Sequence, residues 1–217
     1  GFVIGFDYKA TDTLNFAIRY ESEVSLEFDT DIAGGNTELG NAILESLGKA
    51  DSNYNGVDED RNLPAVLGLG ISKQLTDRFT VDTSFTYYFE EQADWDGQED
   101  EVSNSWDFGI AGTYSVTDDF RISAGYLHTD VGISADDYDL IAKLNPPLDA
   151  HTLAIGCGYD INDKMTLEFG AMSINYVADT AEATPTYEVA PGVYVDSAEI
   201  EYDKQNYNIA VSFIYKL

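Results

Sequence analysis

The chain has 217 residues, enough for one domain or two, and no linker, low-complexity tract or composition break divides it. Forty acidic residues against 11 basic ones give a net charge of −29, which excludes the basic footprint a nucleic-acid partner needs. No run of about 18 apolar residues is present, so no transmembrane helix is possible. The mean hydropathy of −0.23 still suits a membrane barrel, in which only alternate residues face lipid.

Taken in chain order, nine strands are predicted, at roughly 1–9, 13–28, 64–75, 78–92, 104–116, 120–133, 150–161, 165–177 and 198–217. Four tight turns of one design join them in pairs: Ala10-Thr11-Asp12-Thr13, Leu75-Thr76-Asp77-Arg78, Val116-Thr117-Asp118-Asp119 and Ile161-Asn162-Asp163-Lys164. Thr, Asn and Asp suit such turns because their side chains bond local backbone groups. An alternating run follows each turn, for example Leu14, Phe16, Ile18, Tyr20 and Phe120, Ile122, Ala124, Tyr126. The connections on the other side, near 30–62, 93–103, 134–149 and 178–197, are long and acidic. Short turns at one end and long loops at the other are the layout of a transmembrane β-barrel.

The face opposite the apolar one decides between a barrel and a soluble β-sandwich. Near 104–116 it holds Asp107, Gly109, Ala111, Thr113 and Ser115, and near 150–161 it holds Thr152, Ala154, Gly156, Gly158 and Asp160. A soluble sandwich presents Lys and Glu to water; small polar residues suit a confined, wet lumen. Fifteen Tyr, many near strand ends, fit the aromatic girdles of a barrel. Cys157, the one cysteine, shares parity with Leu153, Ile155 and Tyr159 and reads as a small apolar wall residue. The fold expected is therefore all-β, an antiparallel transmembrane barrel. Phe108, Ile110, Leu153, Ile155, Leu167, Phe169, Ile209, Val211 and Phe213 should face lipid. Bacterial barrels have an even number of strands, so an odd nine predicts an N-terminal portion outside this chain.

Three stretches carry a family resemblance. They are Tyr20-Glu21-Ser22-Glu23-Val24-Ser25-Leu26-Glu27-Phe28, then Asn62-Leu63-Pro64, and Phe120-Arg121-Ile122-Ser123-Ala124-Gly125-Tyr126 followed by Pro146, Pro147 and Asp149. Their order and spacing resemble the C-terminal half of the FadL/TodX family, outer-membrane transporters of long-chain fatty acids and other hydrophobic compounds. The alternating aromatic strand ending at Leu217 resembles the signal read by the bacterial barrel-assembly machinery, with Leu where the family habit is Phe. The resemblance implies one barrel domain of about fourteen strands, of which 1–217 would be the C-terminal portion, without the N-terminal hatch and first strands. It implies the bacterial outer membrane as location, outer-membrane lipid and a hydrophobic small molecule as partners, and passive diffusion without chemistry. A structural or adhesive barrel and a general pore for small polar solutes are the alternatives.

Candidate sites follow in the same order. The segment 37–50 has helical spacing, with Thr37 as a cap and Leu39, Ile43, Leu44 and Leu47 on one face. On the family mapping it lies in an extracellular loop, where that stripe would capture substrate or pack on the barrel rim. Asp51-Ser52-Asn53-Tyr54-Asn55-Gly56 matches the first half of a calcium loop. The twelfth position is Asn62 rather than Glu, so Asp58, Glu59 and Asp60 are the candidate replacements, and a solvated Asn/Gly turn is the other reading. No cofactor is expected beyond such a calcium ion. Arg19 and Arg121 face the lumen by parity, either paired with acids such as Glu21, Asp82, Asp107 and Glu168 or available to a substrate carboxylate. Lumen acids outnumber lumen bases, which disfavours a purely anionic substrate. His128 and His151 fall on apolar-parity positions far apart in sequence. No Ser/His/Asp or Cys/His constellation is present, so no enzyme is expected.

Overall fold

The computed structural model describes residues 1–30, 57–95, 97–135, 146–184, 187–190, 193–195 and 198–216. In chain order the strands are β1 (Val3–Thr11), β2 (Leu14–Glu21), β3 (Glu27–Thr30), β4 (Val57–Asp60), β5 (Val66–Thr76), β6 (Phe79–Tyr88), β7 (Trp106–Ser115), β8 (Phe120–Asp130), β9 (Ala150–Asn162), β10 (Met165–Tyr176), β11 (Asp179–Thr184), β12 (Tyr187–Ala190), β13 (Val193–Val195), β14 (Ala198–Tyr202) and β15 (Gln205–Tyr215). Nine of them form one antiparallel sheet in the order β1-β2-β5-β6-β7-β8-β9-β10-β15. Its two outermost strands, β1 and β15, do not pair with each other, so the sheet is a curved wall rather than a closed barrel.

The four short turns share one device, and all lie at one end of this sheet. In each, the side-chain oxygen of the first polar residue accepts from the backbone two residues on. Thr13 N donates to Thr11 Oγ1 (3.3 Å), Arg78 N to Thr76 Oγ1 (3.3 Å), Asp119 N to Thr117 Oγ1 (3.3 Å) and Lys164 N to Asn162 Oδ1 (3.0 Å). Such a bond satisfies a backbone donor that the ladder leaves free at the reversal. The long connections all emerge at the other end, as the alternation of short and long spacers requires.

The strand boundaries differ from expectation at that outer end. The second strand stops at Glu21 rather than near 28. Its hairpin with β5 breaks, is bridged once at Val24–Leu63, and resumes as the separate pair β3/β4. The last strand likewise begins at Gln205; residues 198–202 pair instead with β11, and β12 pairs with β13 inside that loop. Alternation continues through these breaks, which is why periodicity alone merged them. The predicted helix 37–50 lies outside the described residues, as do Asp51, Asn53 and Asn55. Asp58 lies in β4, opposite Asp29.

Register places the expected apolar residues on one face. Across β7 to β15, Ile110, Tyr126, Leu153 and Ser173 stand at one level, and Cys157, Phe169 and Val211 at another. Phe108, Ile110, Leu153, Ile155, Leu167, Phe169, Ile209, Val211 and Phe213 are all large apolar side chains exposed on this surface, with Ile155 at 64%. The dry interior is small and sits under the outer loops. Ala135, Leu148 and Ala181 are buried there against Tyr176 and Tyr202, and Pro146 is fully enclosed. A sheet that exposes its apolar face and buries little is built to be solvated by hydrocarbon.

Aromatic rings mark both borders of that face. Near the loop end a continuous row of contacts runs Tyr87–Phe85–Trp106–His128–His151–Tyr126, with ring centroids 4.8 to 6.4 Å apart. Near the turn end, Phe79 pairs with Tyr114, Phe120 with Tyr159 and Met165 with Tyr215. The stretch of β7 from Trp106 to Tyr114 rises about 26 Å, or about 20 Å after a tilt of about 40°, close to the height of the apolar band of a membrane barrel.

Candidate functional site

The opposite, concave face is the candidate site, because the strand recesses open there. Register stacks its side chains in levels from the turn end outward. The lowest holds Ser115, Arg121, Gly158, Glu168 and Ser212; the next Thr113, Ser123, Gly156, Gly170 and Ala210; then Ala111, Gly125, Ala154, Met172 and Asn208; then Gly109, Leu127, Thr152 and Ile174. Above them stand Asp107 and Thr129.

The lowest level is charged. Arg121 on β8 reaches across β9 to β10, where Nη2 lies 2.6 Å from Glu168 Oε1, and its Nη1 lies 3.5 Å from Asp160 Oδ2. Thr166 Oγ1 donates to the other oxygen of Asp160 at 2.6 Å. Gly158 makes this reach possible. A Cβ built there would sit 2.6 Å from Arg121 Cζ, so the guanidinium lies flat on a backbone with no side chain.

That geometry carries a test. Gly158→Ala and Arg121→Ala should each cost about 1 kcal/mol in the full-length protein, the worth of a partly exposed ion pair. The two losses should not add, because both remove the same contacts. Urea unfolding of the single and double variants checks this; additive losses would separate Gly158 from Arg121.

The middle levels are apolar and roomy. Leu127, Ala154 and Met172, with Gly109, Ala111, Gly125, Thr152, Ser84 and Asp82, line a recess of about 350 Å³. The upper level is polar again: Asp107 accepts from Tyr88 Oη (3.2 Å) and from Thr129 Oγ1 (2.6 Å). Of the two arginines singled out by parity, Arg121 is held by two carboxylates and Arg19 lies 2.7 Å from Glu21. Neither meets Asp82 or Asp107. Lys9, also on this face, pairs with Asp12 at 3.0 Å, and Lys216 lies at the turn end near Asp160.

The outer rim holds a hub that the sequence did not signal as one. Asn62, only 8% exposed, gathers three loops. Its Oδ1 accepts from Leu26 N (2.9 Å), its Nδ2 donates to Glu23 Oε1 (2.6 Å), and its carbonyl accepts from Trp95 Nε1 (2.6 Å). Glu99 closes the loop behind Trp95, accepting from Trp95 N (3.0 Å) and Gly97 N (2.9 Å). Backbone donors, its own N–H first, hold the Glu99 carboxyl below the usual range. Asp149 of the Pro-Pro-Leu-Asp stretch accepts from Val131 N (2.8 Å). Gly132 lies at φ +69°, against Ser103, where a side chain would be strained and obstructed. His128 and His151, far apart in sequence, are direct partners across β8 and β9 and stack at 4.8 Å in the outward aromatic row.

An antiparallel wall with one lipid-facing side, two aromatic borders and a small-polar concave side defines an outer-membrane β-barrel protein. The family model "Outer membrane protein transport protein (OMPP1/FadL/TodX)" matches residues 1–216, and the chain belongs to that family. Among solved structures, it is similar to a Pseudomonas aeruginosa FadL homologue (16% identity, TM-score 0.65, covering 98% of this chain and 51% of that one). It is also similar to the P. putida toluene transporter TodX (15% identity, TM-score 0.60, 99% and 48%) and the Ralstonia pickettii toluene transporter TbuX (12% identity, TM-score 0.52, 98% and 46%). At these identities the likeness is one of fold. The chain spans about half the length of these structures. Comparison with curated proteins gives no match.

Proposed function

We propose that the protein carries hydrophobic small molecules, hydrocarbons or fatty acids, across the bacterial outer membrane by passive diffusion, with no covalent step. The observation that supports this best is the apolar recess at Leu127, Ala154 and Met172, midway down a wall that is otherwise small and polar. A general pore for polar solutes has no use for such a patch, and an adhesive barrel has no use for a recess. The solved relatives named toluene transporters set the same expectation.

The wall becomes a conduit only when its edges are covered. Unpaired backbone groups of β1 and β15 cannot face hydrocarbon, so we infer that strands outside these 217 residues join them, in a barrel of about fourteen. Outer-membrane lipid then wets the apolar face, and β15 is the segment offered to the barrel-assembly machinery. Capture falls to the stripe Leu39, Ile43, Leu44 and Leu47 on the acidic outer side, and calcium at Asp51, Asn53, Asn55 and Asp58 would brace the same loop. Arg19 and Arg121 could meet a substrate carboxylate only by giving up the acids they already face.

Binding and flux of n-alcohols and fatty acids of graded length, measured on the full-length protein, test this reading. Each buried CH₂ contributes about 0.8 kcal/mol, so affinity climbs about fourfold per carbon. Leu127→Asn should lower flux while leaving capture intact. The double change Ile43→Ser and Leu47→Ser should flatten the length dependence of capture while the barrel still folds. Flux that ignores chain length and Leu127 would favour the polar pore.

A further inference from the structure

The recess described above is lopsided in charge. At one level of the concave face stand Asp82 on β6, Ala111 on β7, Gly125 on β8, Ala154 on β9 and Met172 on β10. Asp82 lines the same recess as Leu127 and Met172. Only Ala111 and Gly125 separate it from the apolar patch, so no bulky side chain stands between them. Among the described residues, every other carboxylate that the nine strands of the sheet place on this face has a partner. Asp7 accepts from Asn15 Nδ2 (2.7 Å), Glu21 faces Arg19, Asp107 has Tyr88 and Thr129, and Asp160 and Glu168 share Arg121. Among the described residues, no donor and no cation meets Asp82. Of the four cations on this face among the described residues, Lys9, Arg19 and Arg121 pair with carboxylates, and Lys216 lies at the turn end, where its charge acts on Asp160.

A single unmatched carboxylate beside an apolar patch is the complement of a hydrophobic body with a positive end. We propose that this recess favours hydrophobic amines. The hydrocarbon part rests on Leu127, Ala154 and Met172, and the protonated nitrogen meets Asp82. The inference rests on the transport reading above and names its substrate class. The span fits. β6 and β8 are two inter-strand gaps apart, about 10 Å at about 4.8 Å each, the reach of an aromatic ring with a two-carbon amine arm. The far field acts the same way: a net charge of −29 enriches cations near the mouth and depletes carboxylates.

Three molecules of one skeleton separate the possibilities: phenethylamine, ethylbenzene and 3-phenylpropionate. Flux is measured at neutral pH with the full-length protein, in vesicles with a lipopolysaccharide outer leaflet over phospholipid, after subtracting protein-free vesicles. The amine should cross about tenfold faster than the carboxylate, and Asp82→Asn should lower the ratio of amine to ethylbenzene flux about fivefold, the worth of one cation–carboxylate contact in a wet site. Asp82→Lys should reverse the order of amine and carboxylate. Asp82 is exposed on the concave face, so neither change threatens folding. Equal fluxes of amine and carboxylate, or a ratio of amine to ethylbenzene flux untouched by Asp82→Asn, would overturn the inference while leaving hydrocarbon transport standing. Ethylbenzene flux no greater than in protein-free vesicles would overturn the transport reading, and this inference with it.

Discussion

Replacing Ile155 with Arg should destabilise the full-length barrel by about 2–4 kcal/mol, the cost of a guanidinium at the bilayer midplane. Ile155 stands on the lipid-facing side of β9, 64% exposed, midway between His151 at one aromatic border and Tyr159 at the other. Its neighbours by register are Ala124 and Ala171, which offer the charge no polar group. Snorkelling to either border would have to cover about half the apolar band. The control is Thr113→Arg, on the wet side of β7, where the charge keeps its water and the loss should stay below about 1 kcal/mol. Reversible urea unfolding in lipid, read by heat-modifiable gel mobility, gives both numbers. A small loss at Ile155 together with a large one at Thr113 would mean that the two faces are assigned the wrong way round.

The faces could be read from the sequence because alternation has a period of two, and one error of register would have moved every apolar side chain to the polar side. The turns were legible for a similar reason. Thr11, Thr76, Thr117 and Asn162 act on a backbone donor two residues away, so the whole interaction lies in a short window of sequence. The concave site was legible only in outline. Parity placed Arg19 and Arg121 on it, but which acid each one meets depends on strand neighbours. Glu168 reaches Arg121 across an intervening strand, and only because position 158 is a glycine. The stack of His128 on His151 was hidden likewise, since 23 residues of sequence separate two side chains that are direct cross-strand partners. Loop hairpins such as β3/β4 were missed because alternation runs on across the breaks that divide them from the main sheet. The family resemblance rested on short motifs whose residues prove to be structural: Asn62 ties loops together and Pro146 is enclosed beneath them.

Asn62 is where that structural reading can be pressed hardest. Removing its amide with Asn62→Ala leaves Leu26 N–H without an acceptor and the Glu23 carboxylate without a donor, both in a partly buried place. Each group orphaned in this way costs about 1–3 kcal/mol, so the outer loops should loosen by at least about 2 kcal/mol while the transmembrane strands hold. Trp95 reports the change directly, because its Nε1 donates to the carbonyl of residue 62. In a Trp106→Phe background its emission should shift to the red, and the loop carrying Leu26 should become open to protease. Asn62→Asp asks for more. The carboxylate can still accept from Leu26 N–H, but it now faces Glu23 across a contact of 2.6 Å that was a donor–acceptor pair. Like charges at that range repel, so Asn62→Asp should match or exceed the loss in Asn62→Ala. Adding Glu23→Gln restores a donor to the pair and should rescue Asn62→Asp but not Asn62→Ala. A rescue of both, or of neither, would mean that the hub is held by the backbone bonds of 62–64 rather than by the amide.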